Sequence, residues 1–331
     1  MTVLTLDAAQ QWSAGIFNAH GASARTAASV ARALIAAEAD GLAGHGLSRI
    51  PTYVGMLKSG KIDGQATPIV HRTRPAALLV DAADGFAFPA IDAACAELPA
   101  MARASGIAVA GITRSNHAGA AGPHVERLAR QGLVAIFFAN TPPAIAPWGA
   151  SSPVFGTNPI AFAAPLPDRP PIVIDLALSK VARGNIIAAK QKGEPIPEGW
   201  ALDAEGRPTT DADAALKGTM IAMGEAKGAA LALMVEILAA ALVGSHLSMD
   251  ASSFLDTAGP PPGTGQSFIV IDPDSLGHGR FGAAMTRLAA AIEGQDGARL
   301  PGVRRLEKRR RAEVQGIEIP AALIERFGGL E

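Results

Sequence analysis

Between residues 76 and 272, six short apolar runs recur among helical stretches: "AALLVDA", "GIAVAGI", "LVAIFFAN", "PIAFAAP", "PIVIDLA" and "SFIVID". Runs of this length, bounded by Gly, Pro, Asn or Asp, read as strands, and helical periodicity between several of them calls for helices layered on a sheet. Helices are expected at 89–105, 122–130 and 226–243. The result is a mixed α/β core.

Ahead of this core, residues 7–59 carry apolar positions at three- and four-residue spacing, as in "AASVARALIAAEAD", broken at Gly21, Gly41 and Gly60. That pattern predicts three successive helices forming an N-terminal helical unit. The proline-rich stretch 192–218 reads as a long connection crossing the surface or another subunit. The charged C-terminal segment is expected to be helical.

With 49% apolar residues among 331 and a net charge of −1, the chain can bury a sizeable core, and it lacks the basic excess of a general nucleic-acid binder. A single cysteine, Cys95, excludes an internal disulfide and a cysteine zinc site. It points to a reducing compartment, hence the cytoplasm, and lies in an alanine-rich helical pattern as a small core residue. The N-terminus shows no basic start followed by an apolar run, so no secretory signal is expected. Residues 227–244 approach membrane-spanning length, but Glu236 interrupts them, and they are read as a buried core helix.

No G-x-G-x-x-G follows the first strand, and no G-x-S-x-G or Walker loop occurs. His20, His71, His124, His246 and His278 show no metal-ligand spacing, so no metal is expected. The nearest glycine-rich passage from strand to helix is "GITRSNHAGAAGPHVERLARQG", where amides at the start of the helix could cradle a phosphate. His117, at the exit of its strand, is either a pocket residue or a loop histidine bonded to a carbonyl.

In "GHGLSR", His45 and Arg49 are four residues apart and share one side of a first turn if a helix begins near Gly46. They are then either a packed histidine with a surface arginine, or a proton donor beside a clamp for a carboxylate. Thr157 and Asn158 precede a strand and can line a pocket or make a tight connection. Asp175, at a strand end, can accept from a ribose hydroxyl or cap the next turn. The basic run "RRLEKRRR" at 304–311 is either a phosphate site or a solvated helix face.

Seven segments resemble one family in order and spacing: "GHGLSRIPTYVGMLKSGKIDG", "GITRSNHAGAAG", "NTPPAIAPWGASSPVFGTNPIAFA", "IVIDLALSKVARGNI", "KGEPIPEGWALDAEGRPTTD", "MGEAKGAALALMVEIL" and "RLPGVRR". The chain resembles the type-2 malate/L-lactate dehydrogenases, a family that also holds sulfolactate and ureidoglycolate dehydrogenases and the Δ1-pyrroline-2-carboxylate and Δ1-piperideine-2-carboxylate reductases. The resemblance implies a NAD(P)-binding α/β fold that is not the Rossmann fold. It also implies a homodimer acting on a small carboxylate substrate with NAD or NADP, without nucleic-acid or membrane partners.

By resemblance His45 is the catalytic proton donor, Arg49 the clamp on the substrate carboxylate and Thr157 a further substrate contact. His117, Ala118, Gly119, Ala120 and Ala121 are cofactor contacts, as are Asp175, Leu176, Ala177, Arg183 and Gly184. Pro301, Gly302, Arg304 and Arg305 form a late cofactor loop. Residues 1–70, packed with 295–331, then carry the His/Arg pair, and 71–294 form the cofactor- and substrate-binding core.

Three departures bear on the chemistry. The cyclic-imine reductases place Ser before the histidine and Asp in the segment matching "ARGNI", where this chain has Gly44 and Asn185, and many members have His or Tyr where this chain has Ala226. Asn185 can orient an imidazole but cannot stabilise its protonated form as a carboxylate does. The reading is therefore a NAD(P)-dependent dehydrogenase interconverting a 2-oxo acid and its 2-hydroxy acid. A cyclic-ketimine reductase is the alternative, and a non-catalytic cofactor-binding homologue a minor one.

Overall fold

The computed structural model describes residues 2–328. Strand β1 (Thr2–Leu4) is followed by α1 (Leu6–Ala19), α2 (Ala24–Ala39) and α3 (Ile50–Ser59). Thr5 accepts from the Ala8 amide and Ser23 from the Thr26 amide, so the first two helices begin where hydroxyl caps are available. Pro51 opens α3 and Gly60, with φ of 75°, closes it.

The main sheet begins with β2 (Ile69–Arg74) and β3 (Ala77–Asp81), continues through α4 (Ala87–Ser105) to β4 (Ile107–Ser115), and passes α5 (Gly122–Ala129) to β5 (Val134–Ala139), β6 (Ile160–Leu166) and β7 (Arg169–Leu176). Next come α6 (Arg183–Lys192), the short strands β8 (Ala201–Leu202) and β9 (Pro208–Thr209), α7 (Ala212–Lys217), β10 (Thr219–Met220) and α8 (Ala226–Glu236). The chain closes with β11 (Thr264–Ile271), α9 (Asp274–Gly277), α10 (Phe281–Glu293), α11 (Val303–Gln315), β12 (Ile317–Ile319) and α12 (Ala321–Phe327).

Seven strands form one sheet in the order β2-β3-β4-β11-β5-β6-β7, in which only β3 and β4 run parallel. A Rossmann sheet is built from parallel βαβ units, so this sheet is of another kind. The core between it and α4 and α5 is filled by Leu78, Val80, Ile91, Leu98, Ile112, Phe137 and Phe268. A second apolar cluster joins Phe17, Leu34, Ile50, Tyr53 and Phe86 to Ile317, Ile319 and Leu323, and β1 pairs with β12. The two ends of the chain thus share one core.

Three features differ from what the sequence predicts. The run from 227 to 244 is not buried all round: Ala232, Val235, Glu236 and Ala239 face inward, while Leu233, Ile237 and Leu242 are 47%, 51% and 70% exposed. Its α-helix also ends at Glu236 and continues as a wider π turn, Ile237–Ala241. The stretch 192–218 is not featureless, because β8, β9 and β10 form a small sheet with α7 beside it. Strand β2, "IVHRTR", is exposed along its length and carries no alternation that marks it as a strand.

Candidate active site

His45 and Arg49 do not share a helix turn. His45 ends one 3-10 turn, Ala43–His45, and Arg49 ends the next, Leu47–Arg49, with α3 starting only at Ile50. Glu38 of α2 fixes the junction: its carboxylate accepts from the Leu47 amide at 2.8 Å, and a Cβ on Gly46 would come within 2.1 Å of the same oxygen. A larger residue there forces the Glu38 carboxylate to move. The Arg49 Nε donates to the Gly44 carbonyl at 2.7 Å, which leaves the two terminal nitrogens of the guanidinium for a ligand.

The His45 ring stacks on His117 with centroids 5.3 Å apart and planes 17° from parallel. Burial, reinforced by the Arg49 charge, lowers His45 to about 4, and its Nδ1 is buried without a hydrogen-bond partner among the described residues. His117, buried at the exit of β4, is pushed well below the usual imidazole range by burial and by the charges of Arg49 and His45. Its Nδ1 lies 2.6 Å from the hydroxyl of Tyr53 on α3, and Phe254 packs against its other side with centroids 5.2 Å apart. Lys61, fully buried, holds the Phe254 loop by donating to the carbonyls of Ser253, Asp256 and Ala258.

The backbone of Thr157 accepts from the Leu178 amide and donates to the Thr141 hydroxyl, so the turn before β6 is tied to the exit of β7. Next to it Asn158 and Ser248 donate to the buried Glu236 carboxylate. The Asp175 carboxylate accepts from the Gly122 amide at 2.7 Å. It therefore takes up the start of α5, the place where the glycine-rich turn suggested a phosphate. Burial raises the Asp175 carboxyl above its usual value although water reaches it, as in a cleft wall.

Gly302 packs on Val173 of β7, and Arg305 reaches Glu126 of α5, so 117–122, 173–177 and 302–305 converge beside α5. The loop 297–305 lines an open concavity of about 600 Å3 whose walls include Arg299, Pro301, Gly302 and the exposed Arg304. The Gly302 φ of 88° permits this turn, and the guanidinium groups around it suit phosphate oxygens, so the segments fit a dinucleotide. Arg183 donates to the Pro143 carbonyl, which places it and Gly184 at the Thr157 side, and Asn185 beside them is exposed.

Arg305 does not stand free as a cofactor contact. With Arg309 it is locked between Asp40, at the end of α2, and Glu126, at 2.5–3.0 Å. Burial opposes charge on Glu126, but the bonds and charges of Arg309 and Arg305 prevail and hold it at about 2. One Arg305 nitrogen, Nη2, is buried and has no partner among the described residues. Two of the six basic residues of the run 304–311, Arg305 and Arg309, are thus neither solvated face nor phosphate site but part of a structural ion cluster.

Sequence reasoning missed Tyr53, Phe254 and Lys61. Tyr53 had a local signal, since it follows Arg49 by four residues, one helical turn, and is the only tyrosine in the chain.

A non-Rossmann α/β fold, a buried histidine beside an arginine and a basic concavity beside α5 suit a nicotinamide-dependent oxidoreductase. Residues 4–327 match the malate/L-lactate dehydrogenase family, and the chain belongs to it. It is 50% identical over 295 residues to (2R)-3-sulfolactate dehydrogenase (NADP(+)) of Chromohalobacter salexigens, covering 89% of this chain and 88% of that protein. It is 44% identical over 309 residues to a Δ1-pyrroline-2-carboxylate/Δ1-piperideine-2-carboxylate reductase of Pseudomonas putida, covering 92% and 89%. The crystal structure of Δ1-piperideine-2-carboxylate reductase from Pseudomonas syringae pv. tomato superposes with a TM-score of 0.94 at 39% identity, covering 99% of both chains.

Proposed function

We propose that the protein reduces a small 2-oxo acid to its 2-hydroxy acid and catalyses the reverse oxidation. The observation that carries this reading is the charge around His45: Arg49 is beside it, and among the described residues no carboxylate contacts its ring. A cyclic iminium brings its own positive charge and gains from a carboxylate; a 2-oxo acid does not need one. The likeness to a sulfolactate dehydrogenase supports the same choice and extends it to substrates with a second anionic group.

Arg49 binds the substrate carboxylate through two parallel hydrogen bonds. That carboxylate offsets the Arg49 charge, so the His45 pKa rises from about 4 and the ring can carry a proton. His45 then gives this proton to the 2-oxo oxygen and takes it back in the oxidative direction. The nicotinamide supplies hydride to C2, or accepts it, when bound. Thr157 orients the substrate from the opposite wall, and residues 118–121, 175–177, 183–184, Pro301, Gly302 and Arg304 hold the dinucleotide, with Asn185 orienting the site.

Exposed Arg304 and the NADP(+) in the relative's name support NADP as the preferred cofactor. A second copy of the chain fits the apolar strip of Leu233, Ile237 and Leu242, with Ile107 and Val109 exposed on the sheet beside it. The homodimer proposed on this strip is checked by light scattering, with Ile237→Glu expected to yield monomers. The single cysteine supports a cytoplasmic location, and the shared core of the chain ends supports an N-terminal unit joined to 295–331 around a 71–294 core.

Initial rates with NADPH and NADH on 3-sulfopyruvate, oxaloacetate, pyruvate and Δ1-pyrroline-2-carboxylate test the reading. Turnover of an oxo acid exceeding that of the imine is expected. Preference for the imine establishes the ketimine-reductase alternative, which the 44% identity to the Pseudomonas putida reductase supports. Cofactor binding without any turnover establishes a non-catalytic homologue.

A further inference from the structure

The Tyr53–His117 contact has only one proton arrangement that leaves nothing stranded. The Tyr53 ring is wedged among Phe17, Phe86 and Phe88, with centroids 6.5, 5.3 and 6.3 Å away, and its hydroxyl bonds only to His117 Nδ1 among the described residues. If His117 carried its proton on Nδ1 and donated it to the phenol, the phenol hydrogen would be buried with no acceptor, an uncompensated desolvation. If Tyr53 donates, Nδ1 is the acceptor and the ring's own proton is on Nε2. Among the described residues that nitrogen has no hydrogen-bond partner, and it is not sealed from solvent.

We infer that Tyr53 is a positioning residue that fixes His117 as the neutral Nε2–H tautomer, so that His117 offers its free N–H to the 2-oxo oxygen protonated by His45. The two stacked rings divide the work. His45, with no partner on Nδ1, exchanges the proton; His117, tied by Tyr53, donates a hydrogen bond that strengthens as negative charge grows on the substrate oxygen. Phe254, held by the Lys61 clamp, closes the far side of His117 and keeps water from competing for that bond. This role rests on the oxo-acid reading, but the tautomer itself does not.

Nitrogen-15 spectra of histidine-labelled protein, with His117 assigned through His117→Gln, read the tautomer directly in the resting enzyme. A protonated Nε2 and bare Nδ1 at neutral pH are expected, and Tyr53→Phe is expected to give a mixture of both tautomers. The same variant keeps the wedged ring and is expected to lower kcat about two- to tenfold, the worth of one neutral hydrogen bond, with KM for the oxo acid within about twofold. A wild-type Nδ1–H form, an unchanged tautomer in Tyr53→Phe, or a rise in KM alone overturns the inference. Should Tyr53→Phe fail to fold, the wild-type spectrum decides alone. A confirmed tautomer in a protein that turns over no oxo acid rejects the functional reading and not the Tyr53 assignment.

Discussion

His45 and His117, from a 3-10 turn and from the exit of β4, lie face to face with ring centroids 5.3 Å apart. Two cationic imidazoles at that separation would repel each other, and Arg49 adds a third charge, so the resting site holds at most one imidazolium. On the proposed function, a substrate carboxylate on Arg49 permits that one.

Arg49→Lys tests the clamp. Lysine keeps a charge but loses the planar fork and the Nε bond to the Gly44 carbonyl. A fall in kcat/KM of about a hundredfold is expected, on the scale of two charge-assisted hydrogen bonds weakened together. Steady-state kinetics near those of the wild type would remove Arg49 from its assigned role.

The same arginine can be tested on the resting protein. Removing the guanidinium in Arg49→Met takes away a cation that disfavours His45 protonation, so the His45 pKa is expected to rise from about 4, while burial keeps it below 6.5. Proton NMR of the His45 Cε1–H against pH measures it, and a fall would refute the assigned electrostatics.

Gly46→Ala places a methyl group on the Glu38 carboxylate. The Leu47 amide then loses its acceptor and the two 3-10 turns separate, moving His45 away from Arg49. Loss of at least tenfold in kcat/KM with an intact circular dichroism spectrum is expected, since a misplacement of about 1 Å at a site costs that much or more.

Acid should unfold the protein early. His45 and His124 are lowered to about 4, both chiefly by burial, and His117 lies well below 6.5. The unfolded chain therefore binds more protons than the native one from about pH 6.5 downward. Stability is fully present above that pH and falls by about 1.4 kcal/mol per pH unit for each such histidine. Glu126, native value about 2, adds a further loss below about pH 4.5. Urea unfolding at pH 7.5, 6.0 and 5.0 gives the slope, and a flat profile contradicts it.

Arg309→Met breaks the buried cluster with Asp40 and Glu126. One guanidinium, that of Arg305, then faces two carboxylates, and destabilisation of about 3–5 kcal/mol is expected. Replacing Arg304, exposed on the neighbouring turn, is expected to cost less than about 0.5 kcal/mol. Equal losses in chemical denaturation would show that the cluster carries no special weight.

Much of the fold was legible because apolar period and glycine breaks agree: Gly21, Gly41 and Gly60 follow the three N-terminal helices, and all six apolar runs became strands of the main sheet. Strand β2 was not, since its residues are exposed and charged and only its pairing with β3 makes it a strand. His45 and Arg49 were visible as a pair, but the break between their turns was not, because it depends on Glu38 reaching across from α2. The ion cluster joins Asp40 to Arg309, and the Lys61 clamp joins α3's exit to the 253–258 loop. Such partners are chosen by tertiary approach, and no local spacing encodes them.

Strand β11, near the end of the chain, lies between β4 and β5 and completes both ladders. During synthesis β4 and β5 leave the ribosome long before their common neighbour exists, each with a bare edge of amides and carbonyls. Sheet closure must therefore wait until residues 264–271 are available, a slow long-range step in which the half-built sheet is open to pairing with other chains. A nascent chain truncated before Thr264 is expected to depend on chaperones, whatever the strength of its helical N-terminal unit.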